Sequence, residues 1–581
     1  MGTISDKLMR IINTKEDIRQ ALISKGYDVP TSIPFKEYAK MILDLPCKVD
    51  SFPDIEGIVA RYSASGLTNE QMAANPVWVD KTGNGHDLQM KNFAWGGMSG
   101  VGGYEMNFNL WTNNVPSIPD ISMSTTTTSV SVSVGNSTYN NNLIYIHMNN
   151  WDINKNHWLK VTSTYEDGDL VFKFYNDNNS KNIELPANGY VNIPAYPEFK
   201  GNYMYISTTS NKQGSFTIEQ LPLYPGALVF DGVDDYGTCD NFPILTKEKG
   251  YTVVALRQWI EEKNDSTALV SNCKNWGHNG AFLFEYNNLR INFLNVAISF
   301  GHVSSVDRGK SPFSYQTSKL YNGKNIEPGS FIGSNELVVG KGNKDFPTAS
   351  KVAIWELVFL DHDATEEELT KIKDYFVKTY PWLFPDQAWT VTGKTNEDED
   401  RATIANITGN GNDLVLSNFG FAEGSGYNEE GEYAGYLVTD GVDDKIISSI
   451  FKMGNDWTVI GDWELINTGK NDNAGIVKLD SIVIYNYNSM LINIKNGRNI
   501  LIPDQNTVNA ICSDGRIYSK DWKESIYNEE TESTSENFLT IGYSGNAYTK
   551  IAFKNLAIYP TVLSREDCIK AYNYLQTLKA K

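Results

Sequence analysis

Residues 80–88 read Asp-Lys-Thr-Gly-Asn-Gly-His-Asp-Leu, and residues 407–414 read Ile-Thr-Gly-Asn-Gly-Asn-Asp-Leu. An Asn-Phe pair follows both stretches at the same distance, at residues 92–93 and 418–419. Further along the chain, each copy contains the identical string Asp-Gly-Val-Asp-Asp, at residues 231–235 and 440–444. Two motifs that recur in the same order indicate an internal duplication. Their glycine, asparagine and aspartate residues are typical of tight turns between β-strands.

Later segments recur in both copies as well. Each copy predicts an apolar strand with tryptophan (residues 253–259 and 457–463), a late strand pair (337–340 with 353–360, and 539–542 with 551–559) and a closing helix (366–376 and 565–578). Roughly 140 residues separate the two motifs of the first copy, against about 20 in the second. The excess predicts an inserted β domain at residues 110–224. Within it, residues 159–164 and 170–175 alternate around Asp167 and Gly168, which predicts a β-hairpin.

The composition favours a mainly β protein of several domains. The 581 residues exceed what one hydrophobic core holds, and 32 Tyr, 25 Phe and 13 Trp accompany abundant Asn, Ser, Thr and Gly. A net charge of −20 would repel phosphates and anionic lipids, so we expect neither nucleic acid nor a membrane as a partner. No apolar run suits a membrane span or a secretion signal, which predicts folding in a cytoplasm. Five widely spaced cysteines predict free buried thiols.

The first 50 residues predict two short amphipathic helices. Apolar residues recur there at helical spacing on either side of Pro30 and Pro34. Helices this short need another surface to bury their apolar faces, either the adjacent β domain or a second protein or copy. The residues we expect to make this attachment are Ile18, Leu22, Phe35, Tyr38 and Ile42.

The Gly-Asn-Gly-His-Asp-Leu string at residues 83–88, the Asp-Gly-Val-Asp-Asp string, the late strand pair and the closing helix together resemble the concanavalin A-like, laminin-G-like jelly-roll family. The resemblance implies a mainly β fold of two stacked-sheet sandwiches. We assign the first to residues 55–385, interrupted by a small inserted β-sandwich at 110–224, and the second to 386–581. The helical attachment segment occupies residues 1–50. This fold hosts lectins, hydrolases and spacers, so it does not fix the function.

A second resemblance concerns residues 18–39. The string Ile-Arg-Gln-Ala-Leu-Ile-Ser-Lys-Gly at 18–26, followed by Val29, Pro30, Pro34, Phe35, Tyr38 and Ala39, is similar to the short helical leader of many phage tail and fibre proteins. This resemblance implies a virion protein of a bacteriophage, made in the cytoplasm of the host bacterium. It also implies attachment to other virion proteins through the leader, and a homo-oligomer, with a trimer favoured for a fibre.

We expect no catalytic residues and no enzymatic activity. Related glucanase sandwiches carry a Glu-x-Asp-x-x-Glu strand, and this sequence has no such match. The six histidines are scattered singly, so we expect no cofactor and no transition-metal site. The carboxylates of Asp231, Asp234 and Asp235, or those of Asp440, Asp443 and Asp444, offer ligands to calcium, but the interpretation we favour is that they cap a tight turn.

One loop of the first copy has the residue types that bind sugars. Aromatic rings stack on sugar C–H groups, while amide, carboxylate and ammonium groups bind hydroxyls. The equivalent loop of the second copy, residues 470–473, lacks an aromatic residue. The candidate glycan-binding residues are Lys274, Asn275, Trp276, His278 and Asn279.

Together these observations predict a fibre or appendage protein of a phage virion that contributes to attachment to host-surface glycans. Two alternatives remain open, a purely structural decoration or spacer protein and, third in order, a glycan hydrolase.

Overall fold

The computed structural model describes most of the chain beyond residue 51. The described residues are Lys15 and residues 52–106, 108–113, 121–135, 146–148, 151–153, 157–175, 180–193, 199, 203–208, 213–246, 249–261, 268–272, 283–286, 311–325, 334–342, 344–345, 348–431, 433–466, 475–479, 482–486, 490–494, 498–502, 508–519, 522–526, 539–544 and 547–580. The predicted attachment residues Ile18, Leu22, Phe35, Tyr38 and Ile42 lie outside them.

The first unit is a sandwich of two antiparallel sheets. One sheet has the spatial order Lys324–Asn325, Leu320–Tyr321, Phe313–Thr317, Thr252–Glu261, Lys351–Leu360, Leu228–Asp231 and Gly100–Val101, and Ile58–Ser63 also pairs with Lys351–Leu360. The other has the order Leu283–Tyr286, Ala268–Ser271, Leu337–Val339, Tyr236–Cys239, Leu88–Lys91 and Val77–Trp78. Apolar side chains from both sheets form one buried core, which includes Tyr62, Trp78, Val253, Val270 and Phe359.

The second sandwich has the same construction. Its first sheet has the order Gly426–Tyr427, Leu437–Val438, Ile551–Tyr559, Thr458–Leu465, Val508–Cys512, Arg516–Ser519 and Glu524–Ile526, and Gln387–Thr390 also pairs with Ile551–Tyr559. Its second sheet has the order Thr403–Ile404, Leu414–Ser417, Lys445–Ser448, Thr540–Ile541, Gly475–Leu479, Ile482–Asn486, Met490–Ile494 and Arg498–Ile502. A small hairpin pairs Tyr543–Ser544 with Ala547–Tyr548.

When the strand orders of the first sandwich are taken in reverse, they match those of the second. The first sheets match over their whole length, with Gly100–Val101 equivalent to Gly426–Tyr427. The six strands of the first sandwich's second sheet match six of the eight in the other, starting from Val77–Trp78 and Thr403–Ile404. The duplication predicted from the turn motifs therefore corresponds to two sandwiches of common topology. The fold class is confirmed: the described chain is mainly β and consists of stacked antiparallel sheets.

The strands between Trp111 and Gln220 form sheets of their own. A five-stranded sheet has the order Asn188–Ile193, His157–Ser163, Gly214–Gln220, Ser129–Val134 and Ile121–Thr125. A three-stranded sheet has the order Ser180–Leu185, Leu170–Tyr175 and Tyr203–Thr208, and Trp111–Asn113 pairs with Ile146–Met148. Their buried core includes Trp111, Leu159, Phe172 and Ile218. Among the described strands, these pair only with one another.

The predicted hairpin around Asp167 and Gly168 is wrong. The strand His157–Ser163 pairs with Asn188–Ile193 and Gly214–Gln220, whereas Leu170–Tyr175 pairs with Ser180–Leu185 and Tyr203–Thr208. The turn, with Gly168 at a φ of 82°, carries the chain from one sheet to the other. An Asp-Gly turn encodes a reversal of direction, but it does not encode whether the two strands pair edge to edge or pack face to face.

Three α-helices are described, and the sequence predicted two of them. The helices Glu366–Thr379 and Arg565–Gln576 close the two sandwiches and begin at the caps Thr365 and Ser564. The short helix Asn69–Ala74 was not predicted, although Thr68 and Gln71 form a capping box at its start. None of the described helices combines the length and apolar character needed to cross a membrane.

The helix Arg565–Gln576, called the hub helix below, contacts all three units. Its Tyr572 ring lies 5.1 Å from the Trp158 ring of the inserted unit and 5.7 Å from the Trp522 ring of the second sandwich. At its C-cap, the Thr577 hydroxyl accepts a hydrogen bond from the Gln258 amide of the first sandwich at 3.0 Å. One buried apolar cluster therefore runs through both sandwiches and the hub helix.

Candidate functional site

The Asp-Gly-Val-Asp-Asp turn of the first sandwich, the first acidic turn (residues 231–235), joins a strand of one sheet to a strand of the other. Asp231 Oδ1 accepts a hydrogen bond from Val233 N at 2.7 Å. Asp235 Oδ2 accepts one from Asp231 N at 3.0 Å, and Asp235 Oδ1 accepts one from the Ser99 hydroxyl at 3.1 Å. Two of the three carboxylates therefore close the turn.

The second acidic turn (residues 440–444) repeats this network. Asp440 Oδ1 accepts from Val442 N at 2.7 Å, Asp444 Oδ2 accepts from Asp440 N at 2.7 Å, and the Ser425 hydroxyl donates to Asp444 Oδ1 at 3.1 Å. These are the bonds that the turn-capping interpretation requires. In each turn, one oxygen from each of the three carboxylates also lies within 4.8 Å of the other two, which is the grouping on which the calcium alternative depends.

The last aspartate of each turn lies inside the protein. Asp235 is fully buried, and burial, reinforced by the nearby Asp231 carboxylate, raises its pKa to about 7 although its hydrogen bonds act in the opposite direction. Burial likewise raises the pKa of Asp444 to about 6. Both carboxyl groups therefore change charge near neutral pH.

The two motifs found in the sequence meet in space. The side-chain amide of Asn92 donates to the Asp234 carbonyl at 3.1 Å, and that of Asn418 donates to the Asp443 carbonyl at 3.0 Å. Both asparagines have positive φ, 67° and 70°, a conformation that asparagine tolerates better than most residues. The glycine-rich motifs thereby fix the position of the acidic turns.

A lysine and a tyrosine lie together beside each acidic turn, and the two copies exchange their positions. In the first sandwich Lys341 Nζ lies 4.5 Å from the centre of the Tyr236 ring. In the second, Lys445 Nζ lies 4.9 Å from the Tyr543 ring. Tyr236 and Lys445 each follow the acidic turn directly, while Lys341 and Tyr543 each follow a glycine, Gly340 or Gly542. Both copies thus keep an ammonium group against an aromatic face.

We call each acidic turn with its lysine–tyrosine pair a rim. The tip of each turn carries an exposed valine, Val233 with 66% of its surface accessible and Val442 with 70%. Tyr236 and Tyr543 are half-buried, so part of each residue faces solvent. Lys341 is 5% exposed, and its burial lowers its pKa even though Asp234 and Asp235 lie nearby.

The predicted glycan-binding residues Lys274, Asn275, Trp276, His278 and Asn279 lie outside the described residues. The described strands nevertheless locate the start of this loop. Gly237 pairs with Val339, which places the first acidic turn toward the C-terminal end of Leu337–Val339. Ser271, which lies just before the loop, pairs with Val338. Because the strand Ala268–Ser271 is antiparallel to Leu337–Val339, the chain continues from Ser271 toward the Leu337 end of the sheet. The last described residues before the loop, Ser271 and Asn272, therefore lead toward the end of the sheet opposite to the rim.

Two buried ion pairs were not identified from the sequence. Arg257 binds Glu285 through Nε at 2.6 Å, and Glu285 also accepts hydrogen bonds from the Trp259 indole and the Tyr321 hydroxyl. Arg61 Nε binds Glu356 at 3.1 Å. An arginine within an otherwise apolar strand, as at Arg257, was the available signal, because a buried guanidinium needs an acidic partner.

The Glu356 carboxylate accepts hydrogen bonds from three side chains. Besides Arg61, it accepts hydrogen bonds from the Tyr375 hydroxyl at 3.1 Å and the Tyr380 hydroxyl at 2.8 Å. Burial nevertheless raises its pKa above the ordinary value. For Glu285 the opposite holds, because the Arg257 guanidinium outweighs complete burial and lowers the pKa.

Comparisons with known proteins yield solved structures that align with this chain at low similarity. No family model matches the chain, and no curated protein matches it. A Trypanosoma rangeli sialidase in complex with sialic acid aligns with a TM-score of 0.25 and 8% identity over 79% of this chain and 85% of the sialidase. The receptor-binding domain of botulinum neurotoxin type G aligns with a TM-score of 0.20 and 11% identity, over 32% and 50%. The CBM22-1-CBM22-2 tandem domain of Paenibacillus barcinonensis Xyn10C aligns with a TM-score of 0.13 and 10% identity, over 45% and 95%.

Proposed function

We propose that this chain is a non-enzymatic virion protein of a bacteriophage fibre or appendage, and that its sandwiches contribute to attachment to host-surface glycans. The phage assignment rests on the similarity of residues 18–39 to phage fibre leaders. The glycan assignment rests on the chemistry of the two rims and of the loop at residues 274–279.

The observation that carries the glycan proposal is the exchanged lysine–tyrosine pair. Both rims combine a half-buried aromatic ring with carboxylates at a partly exposed edge, and the ammonium group beside the ring is half-buried in the second rim and buried in the first. Aromatic faces stack on sugar C–H groups and the charged groups bind hydroxyls, so this combination suits a polar, uncharged or amino sugar. Each rim contains one lysine and one tyrosine, but the two residues occupy opposite positions in the two copies. The residue types of the rim are therefore the same in both sandwiches although their positions are exchanged.

The non-enzymatic part of the proposal is supported by the state of the buried glutamates. Glu285 and Glu356 are 4% and 0% exposed, and each is held by an arginine and by tyrosine hydroxyls. A general acid or nucleophile must reach its substrate, so these two carboxylates serve the fold. A screen for sugar release from bacterial surface polysaccharides tests this part, and turnover by the purified chain would overturn it.

Glycan-array binding by the full-length chain tests the binding proposal. We expect binding that Trp276→Ala weakens by roughly 1 to 3 kcal/mol if the loop is the main site. If the rims bind instead, Tyr236→Ala and Tyr543→Ala will weaken binding and Trp276→Ala will not. Leu110→Ala, an exposed position at the start of the inserted unit and not in either sandwich, is the matched control. Absence of binding to any surface glycan would favour the spacer alternative.

Particle composition tests the virion proposal. We expect the chain in purified phage particles, and we expect a chain that starts near Asp54 to fold but to be missing from them, because the leader makes the attachment. Incorporation of the shortened chain with unchanged stoichiometry would contradict the attachment role of residues 1–50.

The spacer alternative is favoured by one structural observation. The hub helix joins both sandwiches in one continuous buried cluster and also packs against Trp158 of the inserted unit, an arrangement suited to a stiff rod segment.

A further inference from the structure

The second rim carries an aromatic hairpin beside its lysine. The strands Tyr543–Ser544 and Ala547–Tyr548 pair antiparallel, with Tyr543 directly opposite Tyr548. Directly opposite residues project from the same face of a hairpin, and the two tyrosine rings lie 5.1 Å apart at an angle of 39°. The sequence between the two strands is Gly-Asn, a pair that favours a tight hairpin. A local sequence signal therefore places two aromatic rings side by side.

One ammonium group lies close to both rings. Lys445 Nζ is 4.9 Å from the centre of the Tyr543 ring and 5.7 Å from that of the Tyr548 ring, and both distances fall within the range of cation–π contacts. Lys445 and both tyrosines are half-buried, so part of each residue faces solvent. We call these three residues, Tyr543, Tyr548 and Lys445, the tyrosine hairpin surface.

The first rim differs at the position of the second tyrosine. In the first sandwich the backbone N–H of Ser350 donates to the carbonyl of the rim glycine at 2.7 Å, and in the second sandwich that of Thr549 does so at 2.9 Å. The residues that precede these two are Ala349 and Tyr548, so the first rim has alanine where the second has its second tyrosine. The ammonium group of the first rim, on Lys341, is also only 5% exposed. The fold of the sandwich therefore does not require the second tyrosine or an accessible lysine.

We propose that the tyrosine hairpin surface is a subsite of the second sandwich for uncharged saccharides of more than one sugar unit. This inference rests on the glycan-binding function proposed above, and it specifies one location and one class of ligand. Two rings offer stacking contacts to the C–H faces of two neighbouring sugar units, while the Lys445 ammonium group donates hydrogen bonds to their hydroxyl oxygens.

The charges around the two rings disfavour charged sugars. The Lys445 ammonium group lies against the rings on which a sugar would stack, so a protonated amino sugar would bring a second positive charge close to it. The acidic turn directly before Lys445 carries the exposed Asp443 and the half-buried Asp440, which would repel the carboxylate of an acidic sugar. An uncharged sugar avoids both penalties, because its hydroxyl groups accept hydrogen bonds from the ammonium group and donate them to carboxylates.

The test is a glycan array that carries uncharged, amino and acidic saccharides, read with the full-length chain and followed by titration calorimetry with the strongest ligand. We expect the strongest ligands to be uncharged oligosaccharides, and we expect the corresponding monosaccharide to bind more weakly because it covers only one ring. Tyr548→Ala should weaken binding about tenfold or more, the loss typical of one aromatic anchor. This variant gives the second rim the alanine of the first, so the fold should tolerate it. Tyr548→Phe keeps the ring and should recover most of the binding.

Two further measurements make the result specific to this surface. Tyr236→Ala removes the ring of the first rim and should weaken binding less than Tyr548→Ala does. Hydroxyl-radical footprinting of the parent chain requires no substitution, and we expect the bound oligosaccharide to protect Tyr543 and Tyr548 from oxidation.

The outcomes separate this subsite from the broader glycan proposal. Strongest binding to an amino or acidic sugar would overturn the subsite and leave glycan binding by the chain intact. The same holds for an effect of Tyr236→Ala that equals or exceeds that of Tyr548→Ala, and for a footprint that does not include Tyr543 and Tyr548. Absence of binding to every saccharide on the array would instead overturn the proposed glycan function, and the subsite with it.

Discussion

At the residue scale, the duplicated sandwiches differ at a buried charge pair. Arg61 N binds Asp80 Oδ1, and Ala388 N binds Asn406 Oδ1 in the second copy, so Ala388 occupies the position of Arg61. In the first sandwich, the register between Thr252–Glu261 and Lys351–Leu360 shifts just after the pair Leu256–Glu356. In the second, the register between Thr458–Leu465 and Ile551–Tyr559 shifts just after the pair Asp462–Asn555. Asn555 therefore occupies the position of Glu356. The second sandwich therefore lacks both charges, which agrees with the high cost of leaving one buried charge alone.

The second copy supplies the variant that tests this explanation. We expect Arg61→Ala to destabilise the first sandwich by roughly 3 kcal/mol or more, because Glu356 loses its cationic partner inside the protein. The double variant Arg61→Ala, Glu356→Asn should be more stable than the single one. Urea denaturation measures both, with Lys351→Ala, which removes an exposed ion pair with Glu261, as the control. Equal or greater destabilisation of the double variant would refute the argument.

The buried aspartate of the first acidic turn predicts a pH dependence. Its pKa is about 7 in the folded protein, well above that of an unfolded aspartate. A raised pKa means that the folded state binds the proton more tightly, so stability is complete at low pH and falls as the pH rises toward 7. We expect a loss of roughly 2 kcal/mol between pH 5 and pH 8, which Asp235→Asn should largely remove.

Denaturation curves at several pH values measure this difference between the parent chain and Asp235→Asn. Identical pH profiles for the two proteins would contradict the prediction. The same experiment examines the calcium alternative, because bound calcium would stabilise the ionised turn at pH 8 in the parent chain and less so in the variant.

At the scale of elements, the exchanged lysine–tyrosine pair couples the strand after the acidic turn to the strand end at Gly340. We expect Tyr236→Lys alone to lose roughly 1 kcal/mol or more, because it places two ammonium groups together and removes the aromatic face. Adding Lys341→Tyr reproduces the arrangement of the second sandwich and should restore most of the loss. Urea denaturation of both variants measures the coupling energy between positions 236 and 341. If the stability effects of the two substitutions simply add, the two positions are not coupled.

At the scale of the whole molecule, the inserted unit contacts the hub helix and not only the sandwich that carries it. We expect a chain without residues 110–224 to keep both sandwiches folded, because the described strands of the insert pair only with one another. Its thermal midpoint should nevertheless fall, because the Tyr572 ring loses Trp158. Circular dichroism and thermal denaturation test both statements, and Trp158→Ala in the full chain should reproduce part of the decrease. Failure of the shortened chain to fold would contradict this boundary.

The sequence by itself determined the features that depend on local geometry. Gly232 and Gly441 at positive φ, the asparagines that follow each glycine-rich motif, and the helix caps at Thr365 and Ser564 all have preferences that a short stretch of chain expresses alone. A nearly continuous apolar run, present in both copies, likewise predicted the late strand Ile551–Tyr559 with the observed bounds. Because these signals recur in the same order, the duplication was also visible in the sequence.

Only the tertiary structure decided which distant residues meet. The turn at Gly168 could equally join paired or stacked strands, and the packing of two sheets selected the second arrangement. The ion pair of Arg61 with Glu356, the contact of Lys341 with Tyr236 and that of Lys445 with Tyr543 join residues far apart in the chain. Local propensity carries no information about such pairs, because burial and charge compensation act through space rather than along the sequence.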